Sequence, residues 1–193
     1  MRSMDESTLI RRASDGDAAA FDALMTMHER RMYAVALRMC GNPEDAQDCL
    51  QEAMLRIFRA ISGFKAQSSF STWVYRITMN ACLDELRRRK SRPVSSLDGM
   101  VEMGWSPADD GESPEEHALR GERGRALMAY IAELPEEMRS AIVLRDIQGH
   151  SYEEIALILD ANVGTIKSRI SRGREKLRKR IQAAPELFRT GDV

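Results

Sequence analysis

The residues best suited to recognition chemistry lie near the C-terminus, in a strongly basic segment. Residues 165–180 carry eight Lys or Arg against one Glu, a net charge of +7. Ile166, Ile170 and Leu177 recur at helical spacing and should point inward, which leaves basic and small polar side chains outside. Such a helix suits the major groove of duplex DNA, although a solvated Lys/Arg-rich helix end is a common alternative. The candidate contacts are Thr165, Lys167, Ser168, Arg169, Ser171 and Arg172.

A shorter helix just before the basic one supports the DNA-binding interpretation. Ser151 and Glu154 have the spacing of a capping box, in which the hydroxyl and the carboxylate each accept a backbone N–H. Asp160 supplies turn chemistry, and Asn162 is predicted to be the N-cap of the basic helix. A capped helix, a tight turn and a one-sided basic helix together predict a helix-turn-helix.

Acidic and amide side chains cluster on one predicted helix near residue 50. Asn42 as N-cap and Pro43 at the first helical position predict where this helix begins. Its polar patch would suit a basic partner surface, but it is equally compatible with an ordinary solvated face. The residues of the patch are Asp45, Asp48, Gln51 and Glu52.

A polar loop bracketed by aromatic residues precedes a helix, predicted for residues 71–90, that is apolar around most of its circumference. A stripe of Arg and Asn remains on that helix. Aromatic rings can stack on single-stranded bases while amide and guanidinium groups read their edges. Packing of the aromatic residues in a core is the alternative, and for Trp73 it explains at least part of the pattern. The candidates are Phe64, Lys65, Phe70, Trp73, Arg76 and Asn80.

The cysteines and histidines lack the spacing of a metal or catalytic site. Cys40, Cys49 and Cys82 lie inside helical patterns without a Cys-x-x-Cys pair, and their odd number suits a reducing cytoplasm. We interpret them as buried structural thiols; a zinc site completed by a histidine is the alternative. The three histidines lie in separate segments, and no Gly-rich phosphate loop appears. The sequence therefore predicts no catalytic residue, no metal site and no cofactor.

The elements that position these residues are all predicted to be helical. The net charge of the whole chain is −1, so nucleic-acid affinity must come from segregated charge. Residues 91–117 carry a net charge of −6 and begin with a stretch rich in Ser, Pro, Gly and acid. We expect an all-α fold of two small domains, residues 1–90 and 114–184, joined by a flexible acidic linker over residues 91–113 and followed by a tail over residues 185–193. No signal or membrane-spanning segment is predicted, which favours a cytoplasmic location.

These features occur in an order that resembles the extracytoplasmic-function (group IV) sigma factors of bacterial RNA polymerase. The resemblance covers roughly residues 8–182 and depends on five motifs at family spacing. The motifs are DAQDCLQEA (residues 45–53), FSTWVYRI (70–77), LPEEMR (134–139), SYEEIA (151–156) and GTIKSRI (164–170).

For the N-terminal domain, the resemblance implies docking on polymerase and opening of promoter DNA. Asp48, Gln51 and Glu52 match the surface that binds the clamp helices of the largest polymerase subunit. The loop at residues 64–70, with Arg76 and Asn80, matches the part that opens and reads the −10 promoter element. The acidic linker would follow the RNA exit path of the polymerase.

For the C-terminal domain, the resemblance implies recognition of the −35 element by the helix-turn-helix. Lys167, Ser168 and Arg172 would read bases, with Arg145 and Arg169 near phosphates. The family also implies an anti-sigma factor, often membrane-anchored, that covers the polymerase-binding surfaces of both domains and releases the chain in response to stress. Ser171 and Asp84 depart from residues that relatives often carry, which leaves the promoter sequence open.

Two other classes of function compete with a promoter-specificity subunit. A free-standing helix-turn-helix regulator would need a ligand pocket or a self-complementary apolar face, and no exposed apolar stripe is evident. Co-elution with core RNA polymerase discriminates the two, because only a sigma factor requires it. An enzyme is the third class, and the scattered histidines argue against it.

Overall fold

The computed structural model describes residues 5–91 and 114–188, with side chains of the second stretch described from residue 121. These residues are helical throughout their regular structure, which confirms the all-α prediction, and none of their helices is long and apolar enough to cross a membrane. The predicted linker, apart from residue 91, lies outside the described residues. The helices are α1 (Glu6–Ser14), α2 (Ala18–Cys40), α3 (Pro43–Ala60), α4 (Phe70–Lys90), α5 (Pro114–Ala132), α6 (Glu136–Ile142), α7 (Tyr152–Ile158), α8 (Val163–Ala183) and α9 (Pro185–Phe188).

Side-chain caps determine where the central helices begin. The Asn42 side chain accepts the Asp45 N–H at 2.9 Å, and the Asn162 side chain accepts the Thr165 N–H at 2.7 Å. Both halves of the predicted capping box are formed at the start of α7. Each cap satisfies a donor that the first turn of a helix leaves free. The predicted starts of α3, α7 and α8 are therefore confirmed.

α2, α3 and α4 form one unit together with α1. α2, α3 and α4 all pack against one another, and α1 packs on α2. Leu24, Met32, Ile57 and Val74 are buried between them. Gly41 ends α2 in the left-handed region at φ +81°, a conformation that glycine adopts without strain.

The second unit contains the helix-turn-helix. α7 and α8 pack against each other, and α6 packs along α8. Ile142, Ile155, Ile166 and Ile170 are buried at these contacts. A turn of π-helix at Val143–Ile147 joins α6 to the segment before α7. Asp160 in the turn between α7 and α8 adopts φ +48°.

The two units also pack on each other, which the sequence did not predict. One apolar cluster runs from Met39 and Met79 in the first unit to Ile142 and Ile155 in the second. Around it, the rings of Tyr75 and His150 pack edge to face at 4.7 Å. The Tyr75 hydroxyl donates to the Gln148 side chain at 3.3 Å, and the Arg139 guanidinium donates to the Met39 carbonyl at 2.6 Å. We call the contact formed by Tyr75, Gln148, His150, Met39 and Arg139 the domain contact.

Changing Gly173 to Ala tests the close approach of α8 to α6. A Cβ at this position would lie 2.8 Å from Cγ1 of Ile142. Overpacking of this kind costs about 1–3 kcal/mol, more than the gain of roughly 0.5–1 kcal/mol from replacing a helical glycine. Urea unfolding should therefore show a lower free energy of unfolding for Gly173→Ala.

Gly124→Ala is the matched control, because nothing lies within 4 Å of a Cβ added there. Only helix propensity should change in this variant, so its free energy of unfolding should rise by roughly 0.5–1 kcal/mol. Equal stabilisation by the two substitutions would contradict the close packing of α8 on α6.

Candidate docking and nucleic-acid interfaces

The predicted acidic patch lies on the outer side of α3. Asp48, Gln51 and Glu52 are exposed, whereas Asp45 is partly buried and forms an ion pair with Arg89 at the end of α4. The structure thus brings three of the four predicted side chains to one open face. Asp45 is instead held within the unit, where it links the start of α3 to α4.

An arginine joins this face to α4. Arg56 contacts Glu52 at 2.7 Å and Asp84 at 2.7 Å. These two carboxylates raise the pKa of the Arg56 guanidinium, Asp84 more than Glu52. Ion pairs as exposed as these contribute little to stability. Glu52 can therefore leave Arg56 and contact a partner protein at a small cost in free energy.

Two apolar residues extend the same side of α3 and were missed in the sequence. Leu55 and Phe58 are 50% and 57% exposed. They lie four and seven residues after Gln51, positions that share its side of a helix. Phe58 contacts the ring of Phe21 edge to face at 5.0 Å. The available signal was an apolar residue outside the buried stripe of α3, which is typical of a surface that binds another protein.

The aromatic residues of the predicted −10 region form a cluster rather than separate exposed rings. Phe64, Phe70 and Trp73 have ring centroids 5.2–5.6 Å apart, and His28 packs on Phe70. Phe70 is 4% exposed, while Phe64 and Trp73 are partly buried. In this conformation the buried Phe70 ring packs against Phe64 of the loop. Phe64 and Trp73 are the two rings of the cluster that remain partly accessible to solvent.

The polar stripe of α4 is open to solvent beside this cluster. Arg76, Asn80 and Lys65 of the preceding loop are all exposed. Asp84, next along the stripe, is occupied by Arg56 and also lies 3.5 Å from Arg87. Arg76 and Asn80 therefore form a small polar surface whose donors are available to a ligand.

The outer face of α8 carries the residues predicted to read duplex DNA. Lys167, Ser171 and Arg172 are exposed, and Thr165, Ser168 and Arg169 are partly exposed. The Ser168 hydroxyl donates to the Thr165 carbonyl at 2.8 Å, which leaves its oxygen free to accept. Ile166 and Ile170 are buried on the opposite face, as their spacing predicted.

Ion pairs divide the basic residues of α8 into two sets. Within the described part of the chain, Lys167 and Arg172 form no ion pair. Their charges are therefore available to phosphates or bases. Other arginines are partly neutralised by neighbouring elements; these pairs are Arg169–Glu137, Arg174–Asp146 and Arg180–Glu133.

The ring of Tyr152 lies close to two of the side chains that are predicted to contact phosphates and bases. The Arg145 guanidinium lies 4.7 Å, and the Lys167 ammonium 5.6 Å, from the centroid of its ring. Arg145 also donates to the His150 carbonyl at 2.7 Å. A cation over an aromatic face keeps its full charge, unlike a cation paired with a carboxylate. The arrangement holds two positive charges at the N-terminal end of α8.

Known proteins resemble this chain over most of its length. Residues 24–92 match the family model for Sigma-70 region 2, and residues 124–177 match that for Sigma-70, region 4. The chain is 36% identical over 181 residues to the RNA polymerase sigma-H factor of Pseudomonas aeruginosa, covering 92% of this chain and 94% of that protein. It is also 35% identical over 178 residues to the extracytoplasmic-function RNA polymerase sigma factor SigW of Bacillus subtilis, covering 90% of this chain and 95% of SigW. The chain belongs to the extracytoplasmic-function sigma factors.

Solved structures share the fold of this sigma factor. CnrH, solved in complex with the cytosolic domain of CnrY, is 24% identical with a TM-score of 0.65, covering 92% of this chain and 97% of CnrH. RpoE of Bartonella quintana, solved with the anti-sigma factor NepR, is 22% identical with a TM-score of 0.64, covering 84% of this chain and 96% of RpoE. At this identity the likeness concerns the fold.

The domain contact of this sigma factor should weaken in acid because of His150. Burial lowers the pKa of His150 from its ordinary 6.5, and Glu154, whose carboxylate lies 3.7 Å away, offsets part of this. The neutral ring is thus favoured where it packs on Tyr75. The neutral His150 ring should stabilise the domain contact fully above pH 6.5. This stabilisation should be lost as the pH falls below 6.5 and through the lowered pKa of His150.

Hydrogen exchange in α4 and near residue 148, corrected for the intrinsic effect of pH, measures this contact. Protection should fall between pH 7.5 and 5.5 in the wild type. In His150→Gln, protection should be lower at pH 7.5 and change little with pH. An unchanged pH dependence in that variant would assign the effect to another group.

Proposed function

We propose that this sigma factor binds core RNA polymerase and directs it to promoters through the −10 and −35 elements. Residues 1–90 would dock on polymerase and open the −10 element, and residues 114–184 would bind the −35 element. The observation that carries the proposal is that three exposed surfaces of different chemistry lie on three different helices. They are the acid and amide face of α3, the Arg76/Asn80 surface of α4 and the basic outer face of α8.

The face of α3 has the mixed chemistry of a protein-binding surface. Gln51 and Glu52 offer polar contacts, and Leu55 and Phe58 add apolar area beside them. Interfaces of this kind place apolar side chains at their centre and charged groups at the rim. We infer that core polymerase binds here, with Asp48 at the rim facing basic residues of the clamp helices.

The surfaces of α4 and α8 suit two different forms of DNA. Phe64 and Trp73 are partly exposed, and Arg76 and Asn80 are exposed further along α4, a combination that suits unpaired bases. Lys167 and Arg172 are exposed on a helix that packs on α7, which suits a major groove. A protein with both surfaces can bind duplex DNA upstream while it holds an opened strand downstream.

We also propose that an anti-sigma factor regulates this chain. RpoE, which shares its fold, was solved with the anti-sigma factor NepR, and CnrH was solved with the cytosolic domain of CnrY. A partner that covers α3 would block polymerase and hold the factor inactive. Release under stress would then expose the face that core polymerase needs.

Docking and promoter opening should be separable by mutation. Gln51→Ala with Glu52→Ala should weaken binding to core polymerase, because it removes the polar groups of the α3 face. Asn80→Ala should leave core binding intact and reduce open-complex formation, because it removes a base contact. Co-elution with core enzyme measures the first effect, and permanganate footprinting of unpaired thymines measures the second.

Asp84→Asn is the matched control for the docking variant. It removes the other carboxylate that Arg56 contacts, on α4 instead of α3. Core binding equal to wild type in Asp84→Asn would show that loss of the Arg56 network is not the cause. Wild-type core affinity in the Gln51/Glu52 variant would refute the docking assignment.

Arg172→Ala should reduce affinity for particular −35 base pairs. A lost contact to a base edge costs about 1–3 kcal/mol, and the loss should depend on which base occupies the position. Binding of the holoenzyme to a set of −35 variants at constant salt measures it. Arg178→Ala is the control, since Arg178 lies further along α8 and is paired with Glu175 at 2.6 Å. An equal loss of affinity for all −35 sequences would instead show that Arg172 contacts a phosphate.

A further inference from the structure

The three cysteines converge in the core of the first unit. Cys40 is the last residue of α2, Cys49 lies in α3 and Cys82 lies in α4. Their Sγ atoms all lie within 4.8 Å of one another, and the residues are 8%, 2% and 0% exposed. The prediction that the thiols are buried is confirmed. Their spacing in the sequence gave no sign that three helices bring them together.

The separations of the sulfur atoms approach those around a bound metal ion. An ion with three sulfur ligands at about 2.3 Å in a plane sets those sulfurs roughly 4.0 Å apart. Cys40 and Cys49 have Sγ atoms 3.4 Å apart, and the Cys82 sulfur completes the triangle within 4.8 Å. Changes of less than about 1 Å in these separations would place the three sulfurs at equal distances around one ion.

Three arginines lie near the cluster, although each of them also pairs with a carboxylate. The guanidinium groups of Arg56 and Arg88 act on Cys49, and that of Arg89 acts on Cys40. Their carboxylate partners are Glu52, Asp84, Glu85 and Asp45. Hydrogen bonding with Cys40 and Cys82 lowers the pKa of the Cys49 thiol. The pKa values of the other two thiols are raised, and they would lose their protons only to an ion.

We propose that Cys40, Cys49 and Cys82 form a three-sulfur binding site for a thiophilic monovalent cation of the Cu(I) type. Thiolate sulfur selects soft ions. Within the described side chains no His, Asp or Glu joins the group, whereas structural zinc takes four ligands. Binding of one Cu(I) with release of the thiol protons would leave a complex of net charge −2 beside the three guanidinium groups. This assignment replaces the sequence prediction of no metal site and does not depend on the proposed function.

The cluster lies next to the domain contact. Met39, whose carbonyl accepts from Arg139, directly precedes Cys40. The cysteines also belong to the apolar cluster that continues into Ile142 and Ile155 of the second unit. An ion held by three helices would fix the end of α2, and thermal unfolding should shift to higher temperature when it binds.

Titration of the reduced full-length chain with Cu(I) under anaerobic conditions tests the site. A coloured Cu(I) chelator serves as competitor, and the wild type should withdraw one equivalent from it. Each of Cys40→Ser, Cys49→Ser and Cys82→Ser should lower the affinity by at least about 100-fold, in line with the loss of a metal ligand or its support. X-ray absorption of the wild-type complex should show three sulfur ligands.

Val35→Ala is the control for loss of packing. Val35 is fully buried in the same apolar cluster, and its truncation lowers stability without removing a thiol. This variant should retain wild-type Cu(I) affinity while its unfolding temperature falls. The proposal is overturned if the wild type takes no ion from the chelator, or if any single Cys→Ser variant binds as well as the wild type. X-ray absorption of the wild type, which needs no variant, also overturns it if two sulfurs or any nitrogen ligands are found.

Discussion

Burial of α4 is the constraint on which the other features of the molecule depend. α2 and α3 cover one part of this helix and α7 covers another. Val74, Met79 and Cys82 are at most 1% exposed, and each large apolar side chain buried this way contributes about 1.5–3 kcal/mol. The buried Thr78 hydroxyl is satisfied by the Val74 carbonyl at 2.9 Å. The strip of α4 that remains open carries Arg76 and Asn80, so the packing that anchors the helix also defines its polar surface.

Local chemistry explains why so much of the fold was predictable. Asn42, Ser151 and Asn162 each accept a backbone N–H three residues away, so their caps can be predicted without knowledge of the tertiary structure. Gly41 ends α2 for a reason equally local. The exposed members of the predicted surfaces on α3 and α8 follow from helical periodicity, because a helix buried on one side must expose the other.

What the sequence could not predict depends on contacts between distant segments. Helical periodicity places Phe58 on α3 but does not say whether another element covers it, and it is exposed. The sequence assigned Phe70 to the loop before α4, whereas Phe70 begins that helix, and His28 and Trp73 pack on its ring. The meeting of the cysteines and the pairing of Tyr75 with His150 are likewise properties of the assembled helices.

The division of charge along α8 determines which of its basic residues are available to DNA. Arg174 and Arg169 contact carboxylates of neighbouring elements, which partly neutralise their charges. Such pairs would have to break before these side chains could bind a phosphate, and each would then leave a carboxylate without its partner. Lys167 and Arg172 meet no such competition within the described part of the chain. Recognition of DNA should therefore depend most on the basic residues whose charges no carboxylate neutralises.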